Sequence, residues 1–117
     1  MKILVINNSS NKRNDALKSL AQYNVTALDG RDGRKILQEQ DFDIIIIAIE
    51  EDESSADGFN TAMEALFSKE TSKVILTDVT EFSHIVESVL IGNLIGNEDT
   101  SSRRMHIFNM DGWLKSR

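Results

Sequence analysis

The sequence predicts an α/β protein built on one parallel β-sheet with helices on both faces. Short apolar segments typical of buried strands alternate with segments whose apolar residues recur at helical spacing. The segment Phe42–Ile49 (FDIIIIAI) is apolar almost without interruption, which indicates a central strand buried on both faces. A chain of 117 residues has room for one domain with a substantial core, so we expect residues 1–117 to form a single domain.

The first half of the chain contains three predicted strands and two predicted helices. The strands are short apolar runs at Lys2–Ile6, Asn24–Leu28 and Phe42–Ile49. A helix over Asn14–Tyr23 is indicated by apolar residues that share one helical face. A second helix is predicted over Arg31–Gln40, after the turn-forming pair Asp29-Gly30.

The second half repeats the alternation of helix and strand. Apolar residues recur at a helical period from position 59 onward: Phe59, Ala62, Met63, Leu66 and Phe67. A fourth strand follows at Lys73–Thr77, and Asp78 is placed to cap a helix that ends near Gly92. Met105–Met110 is the fifth strand candidate. Because only residues 111–117 follow it, we expect the last helix to be shortened or missing.

Composition and charge exclude several classes of function. The chain contains no cysteine, which rules out disulfides, thiolate zinc sites and cysteine nucleophiles. Its net charge of -6 argues against general nucleic-acid binding through phosphate contacts. No apolar run approaches the length of a membrane span, and MKILVINNSS lacks the features of a secretory signal. We therefore expect a cytoplasmic protein that binds neither nucleic acid nor membranes.

The candidate functional residues lie where the predicted strands end, because parallel sheets bind ligands at the carboxyl ends of their strands. These residues are mostly neutral: Asn7, Asn8, Ala48, Glu50, Thr77 and Asn109. Glu50 begins the acidic run 50–53, which we interpret as a solvated loop. Two amides at the end of the first strand are unusual, because many α/β proteins have carboxylates there.

The order and spacing of several segments resemble the receiver domain of response regulators. The segments are MKILVINNSSNKR, VTALDGRDGRKIL, FDIIIIAI, ADGF, KVILT and HIVESVLIG. The resemblance covers residues 1–92 well and the remainder poorly. It implies a flavodoxin-like, five-stranded parallel sheet in the order 2-1-3-4-5 and a role in two-component signal transduction.

The residues that receiver domains use for phosphorylation are replaced in this chain. The resemblance places the acidic pair of the family on Asn7 and Asn8, and the phosphoacceptor aspartate on Ala48. The hydroxyl position is kept as Thr77, and the phosphate-contacting lysine falls on Asn109. Ala48 has no side-chain oxygen, and two amides lack the charge that offsets dehydration of Mg²⁺. The resemblance therefore implies a pseudo-receiver that is not phosphorylated and needs no metal or cofactor.

Without phosphorylation, such a domain signals by binding, and we expect no catalytic residue. The resemblance implies a non-enzymatic regulatory module whose partner is another protein or a second copy in a homodimer. The expected contact residues lie in the second half of the chain: Phe82, His84, His106 and Trp113.

A second, weaker resemblance keeps an enzymatic hypothesis open. The segment DGFNTAME, from Asp57 to Glu64, is followed by SKVIL and resembles a motif of nucleoside 2-deoxyribosyltransferases. That resemblance implies an N-glycosidase acting on (deoxy)nucleotides, with Glu64 as nucleophile and Asp57 orienting or protonating the base. Asn60 stands where the motif has glycine, and a solvated helix residue is the simpler interpretation of Glu64.

Overall fold

The computed structural model describes residues 1–50, 55–68, 72–78, 81–94 and 105–108, with backbone alone at 55, 56, 59, 92–94 and 105–108. Four parallel strands form the sheet: β1 (Lys2–Ile6), β2 (Asn24–Leu28), β3 (Ile44–Ala48) and β4 (Lys73–Thr77). Their order is β2-β1-β3-β4, as predicted. The short segment β5 (Met105–Phe108) runs parallel beside β4, with Met105 opposite Val74. Residues 109–117 lie outside the described residues, so the expectation that the last helix is shortened or missing stays a prediction.

Four helices accompany the strands, and local capping explains where they begin. They are α1 (Ser10–Ser19), α2 (Gly30–Leu37), α3 (Ser55–Ser68) and α4 (Phe82–Leu94). The first helix starts before the predicted Asn14 because Ser9 is its N-cap, with Oγ accepting the Lys12 N–H at 3.3 Å. The predicted cap Asp78 is wrong for α4, because the first helical hydrogen bond there runs from Ile85 N to Glu81 O at 3.1 Å.

The sheet separates two apolar layers. All five residues of β3 are buried, which confirms the predicted central strand. On one face, α1 and α4 pack on alternate strand residues through Ala16, Leu20, Phe82, Ile85, Val86 and Val89. On the other face, α2 and α3 pack through Leu37, Ala62 and Ala65. No helix in the described ranges is long and apolar enough to cross a membrane.

The position of α4 differs from that of an ordinary doubly wound sheet. Right-handed crossovers in this strand order would place α4 on the same face as α2 and α3. Instead α4 packs beside α1 on the opposite face. The exposed side of α4 therefore belongs to the α1 layer.

Candidate functional site

A cavity of about 520 Å³ opens at the carboxyl ends of β1 and β3. Its apolar lining consists of strand-end residues: Ile6, Ile47, Ala48 and Ile49. Its polar lining comes from the end of β1 and from the helices α2 and α3: Asn7, Asn8, Arg31, Arg34, Asp57 and Thr61. The chain leaves β1 and β3 in opposite directions across the sheet, so this cavity lies at the topological switch point, where α/β sheets bind ligands.

Two glycines allow the helices to approach the strand ends closely enough to form this cavity. A Cβ atom at Gly58 would lie 2.4 Å from Ile49 Cδ1 and 2.7 Å from Ile49 Cγ1. A Cβ atom at Gly33 would lie 2.6 Å from Ile6 Cγ1. These distances are far below van der Waals contact, so a larger residue at either position would force the isoleucine side chain or the helix itself to shift.

The Asn7 side chain ties together the ends of β1 and β3. It is 1% exposed. Its Nδ2 group donates to Ala48 O at 3.0 Å and to Glu50 Oε2 at 3.2 Å, and its Oδ1 atom accepts the Ser9 N–H at 2.8 Å. Because a carboxylate cannot donate hydrogen bonds, only an amide satisfies all three of these partners.

The Asn8 side chain binds the start of α2. Asn8 is exposed, and its Oδ1 atom accepts the Gly30 N–H at 2.8 Å. The side-chain oxygens of Asn7 and Asn8 therefore both accept backbone N–H groups. Ala48 contributes a methyl group, and its carbonyl already accepts from Asn7. Among the described residues, no group of three or more histidines and carboxylates is placed to hold a metal ion.

Glu50 belongs to a partly buried network with Asn7 and Lys12, which the interpretation of residues 50–53 as a solvated loop did not anticipate. Its side chain is 19% exposed and forms an ion pair with Lys12, with Nζ and Oε2 at 2.8 Å. Burial raises the pKa of the Glu50 carboxyl, but hydrogen bonds from Lys12 and Asn7 and the Lys12 charge outweigh this effect. The net result is a lowered pKa, so Glu50 is ionised at neutral pH.

The helical wall of the cavity is organised around Arg34. Its Nε and Nη2 groups donate to Thr61 Oγ1 at 2.9 and 2.7 Å. Thr61 Oγ1 in turn donates to Asp57 O at 3.0 Å, which fixes the acceptor in place. Sequence reasoning missed Arg31, Arg34 and Thr61. The available signal was spacing, because residues three and four apart share a helix face, as 31 and 34 do on α2 and 57 and 61 on α3.

The proposed glycosidase residues are only partly brought to the cavity. Asp57 lines it, whereas Glu64 is not among the lining residues. The Glu64 side chain is 48% exposed, and its Oε2 atom lies 4.0 Å from Arg34 Nε. Thr77 is fully buried opposite Ala48 at the end of β4 and does not line the cavity.

The expected partner-contact residues lie in different environments. Phe82 is 1% exposed and packs in the core against the α1 face of the sheet, so the prediction that it contacts a partner is wrong. Burying a large aromatic side chain in the core stabilises the fold more than leaving it exposed on the helix surface. His84 is exposed on α4, and His106 is the second residue of β5. Asn109 and Trp113 lie outside the described residues.

Comparison with known proteins gives no further guide to function. No protein-family model matches the chain, and no curated protein and no solved structure was found to be similar. The assignment of a function therefore rests on the geometry of the strand ends and the cavity beside them.

Proposed function

We propose that this chain is a receiver-like regulatory module that accepts no phosphoryl group and acts by binding a protein partner. The parallel strand order 2-1-3-4 supports a flavodoxin-like arrangement, although the packing of α4 beside α1 departs from it. In this proposal β5 completes the five-stranded order of receivers. The main support is the commitment of both amide oxygens, of Asn7 and Asn8, to backbone N–H groups.

The charges at the strand ends support the same proposal. A receiver needs several carboxylate oxygens around Mg²⁺, which keeps its ligands in octahedral array. Here the carboxylate bonded to Asn7 is that of Glu50, and Lys12 already neutralises it at 2.8 Å. A cation entering this position would have to compete with an internal ammonium group. We therefore expect no useful affinity for Mg²⁺ and no transfer to Ala48.

The test is a titration with Mg²⁺ and beryllofluoride, which imitates a phosphoryl group, followed through backbone amide shifts in NMR spectra. An ordinary receiver domain under the same conditions is the positive control. We expect no saturable shifts of the amides of Asn7, Asn8 and Ala48. Saturable shifts centred on these three residues would show that the site still binds metal and phosphoryl analogue, and would refute the proposal.

The partner surface is proposed on the exposed side of α4, in the layer it shares with α1. His84 is exposed there, and Ile91 is 53% exposed. If the partner is a second copy, sedimentation equilibrium should show a dimer that Ile91→Ser weakens. Phe67→Ser is the matched control, because Phe67 is 82% exposed on α3 and belongs to the opposite layer. Equal weakening by both variants would contradict this surface.

One observation favours the glycosidase as a second candidate, namely the presence of Asp57 in a cavity of nucleoside size. Retaining glycosidases hold their two carboxyl groups about 5–5.5 Å apart on the scissile bond, so Glu64 would have to turn from Arg34 toward the cavity. Release of free base from deoxynucleotides, abolished by Glu64→Gln but not by Glu87→Gln on α4, would establish this activity. Glu87 is exposed and serves as the matched control.

A further inference from the structure

We infer that the cavity at the ends of β1 and β3 is a binding site for a small phosphate monoester with a largely apolar body. This inference concerns a small ligand and does not depend on the receiver-like function proposed above. It follows from the position and size of the cavity, from its charge and from the way Arg34 is held.

The position and size of the cavity fit a small organic molecule. Its volume of about 520 Å³ falls within the range of about 300–1,000 Å³ that ligand pockets occupy. It lies at the switch point of the sheet, where the strand ends diverge and leave a crevice. A bare inorganic ion would leave most of this volume empty, so the occupant needs a larger organic part.

The charge of the lining is opposite to that of the protein as a whole. The chain has a net charge of -6. The charged lining residues are two arginines, Arg31 and Arg34, and one acid, Asp57. The lining itself carries one net positive charge. Glu64, outside the lining, pairs with Arg34 at 4.0 Å, whereas Arg31 has no ion pair among the described residues, so an anionic ligand is favoured where it reaches Arg31 and the free edge of Arg34 directly.

The Arg34 guanidinium is preorganised for an anion. Thr61 Oγ1 accepts from Nε and Nη2, and Asp57 O fixes the threonine. The structure gives Arg34 Nη1, the Arg31 guanidinium and Asn8 Nδ2 no hydrogen-bond partner among the described residues. These donors can therefore bind phosphate oxygens without breaking the existing network, and an arginine held in advance loses less entropy on binding.

The rest of the lining specifies the body of the ligand. Ile6, Ile47 and Ile49 provide an apolar floor, which favours an uncharged, largely apolar group next to the phosphate. The exposed carboxylate of Asp57 can accept a hydrogen bond from a hydroxyl or amino group of that body. A phosphate monoester of nucleotide or sugar-phosphate size combines these features.

The test is calorimetry of the full chain with adenosine monophosphate, ribose 5-phosphate, adenosine and inorganic phosphate. We expect at least one of the two monoesters to bind more tightly than both adenosine and inorganic phosphate. Its addition should shift the amides of Asn8, Gly30 and Thr61 in NMR spectra. Because each charge-assisted contact contributes to binding, Arg31→Gln and Arg34→Gln should each weaken the monoester about tenfold or more.

Lys35→Gln is the matched control, because Lys35 is an exposed cation on the same helix that does not line the cavity. It should change affinity by less than about twofold, as expected for a screened surface charge. Arg31→Gln should weaken ligand binding without affecting folding, because the Arg31 side chain makes no hydrogen bond or ion pair among the described residues. The inference would be overturned if neither monoester binds, if adenosine or inorganic phosphate binds as tightly as the tighter monoester, or if the Lys35 variant loses as much affinity as the arginine variants.

Discussion

Replacing Asn7 by aspartate tests why an amide lies at the end of β1. The two side chains have nearly the same shape, so the change removes a donor and adds a charge without leaving a cavity. In the wild-type protein Nδ2 donates to Ala48 O and to Glu50 Oε2 at 3.0 and 3.2 Å. In Asn7→Asp an anionic oxygen would face both acceptors in a position that is 1% exposed.

The magnitude follows from the distance to Glu50. Two like charges 3.2 Å apart repel by about 5 kcal/mol at an effective dielectric constant of about 20, which is an upper bound because Lys12 pairs with Glu50. Protonating the new carboxyl avoids the repulsion, and from an unfolded pKa of about 3.9 this costs about 4 kcal/mol at pH 7. The protonated group can donate to only one acceptor, so roughly 1 kcal/mol of hydrogen bonding is also lost. We expect Asn7→Asp to lower the free energy of unfolding by about 3–5 kcal/mol at pH 7.

The pH dependence has a definite sign. Burial and the neighbouring Glu50 raise the pKa of the introduced carboxyl above its unfolded value, so its penalty is absent below about pH 4 and grows as pH rises. Urea unfolding at several pH values measures this, with a slope approaching about 1.4 kcal/mol per pH unit relative to wild type.

Asn8→Asp makes the same chemical change next door and is the control. Its Oδ1 atom only accepts, from Gly30 N at the start of α2, so a carboxylate keeps the bond. A negative charge at a helix N-terminus is stabilising by about 0.3–1 kcal/mol, and we expect a change of that size or smaller. If Asn7→Asp is as stable as wild type at pH 7, or if both variants lose the same stability, the role given to the Asn7 amide is wrong.

Three further predictions concern stability. The lowered pKa of Glu50 means that its pair with Lys12 stabilises the fold above the ordinary carboxyl pKa and that this is lost as pH falls through the folded value. The difference in unfolding free energy between wild type and Glu50→Gln should therefore be less than about 1 kcal/mol at pH 7 and vanish in acid; a difference that grows in acid would contradict the pairing. Gly58→Ala should destabilise by up to about 2 kcal/mol in chemical unfolding, because overpacking against Ile49 exceeds the gain in helix propensity, and Ile49→Val should relieve part of the loss. Phe82→Ala should cost about 3–5 kcal/mol in the same assay, whereas a cost below about 1 kcal/mol would contradict its place in the core.

Local features of the sequence account for much of the fold. The uninterrupted apolar run of β3 predicted a strand buried on both faces. Successive residues of a strand point to opposite faces of the sheet, and here the residues on both faces are apolar. Helix starts were predicted less well. Ser9 capped α1 earlier than the apolar spacing indicated, because a hydrogen bond from a single hydroxyl decides where a helix begins.

The candidate site was predicted in part. Asn7, Asn8 and Ala48 were placed correctly at the strand ends and do line one cavity, since parallel strands end at the same edge of a sheet. Thr77 was predicted for the same site but is buried outside the cavity. Arg34 and Thr61 were missed, because their contact joins residues 27 positions apart and no local pattern pairs them.

The sequence by itself therefore determined the layers and the strand ends, because apolar periodicity and the absence of charge at Asn7 and Asn8 are properties of short segments. Only the tertiary structure decided which groups meet there. It showed that Lys12 neutralises Glu50, that α4 packs beside α1, and that Arg34 is held at the edge of a cavity. Such contacts depend on how separate helices approach one sheet, and the close approach at Gly58 is fixed by packing rather than by any local pattern.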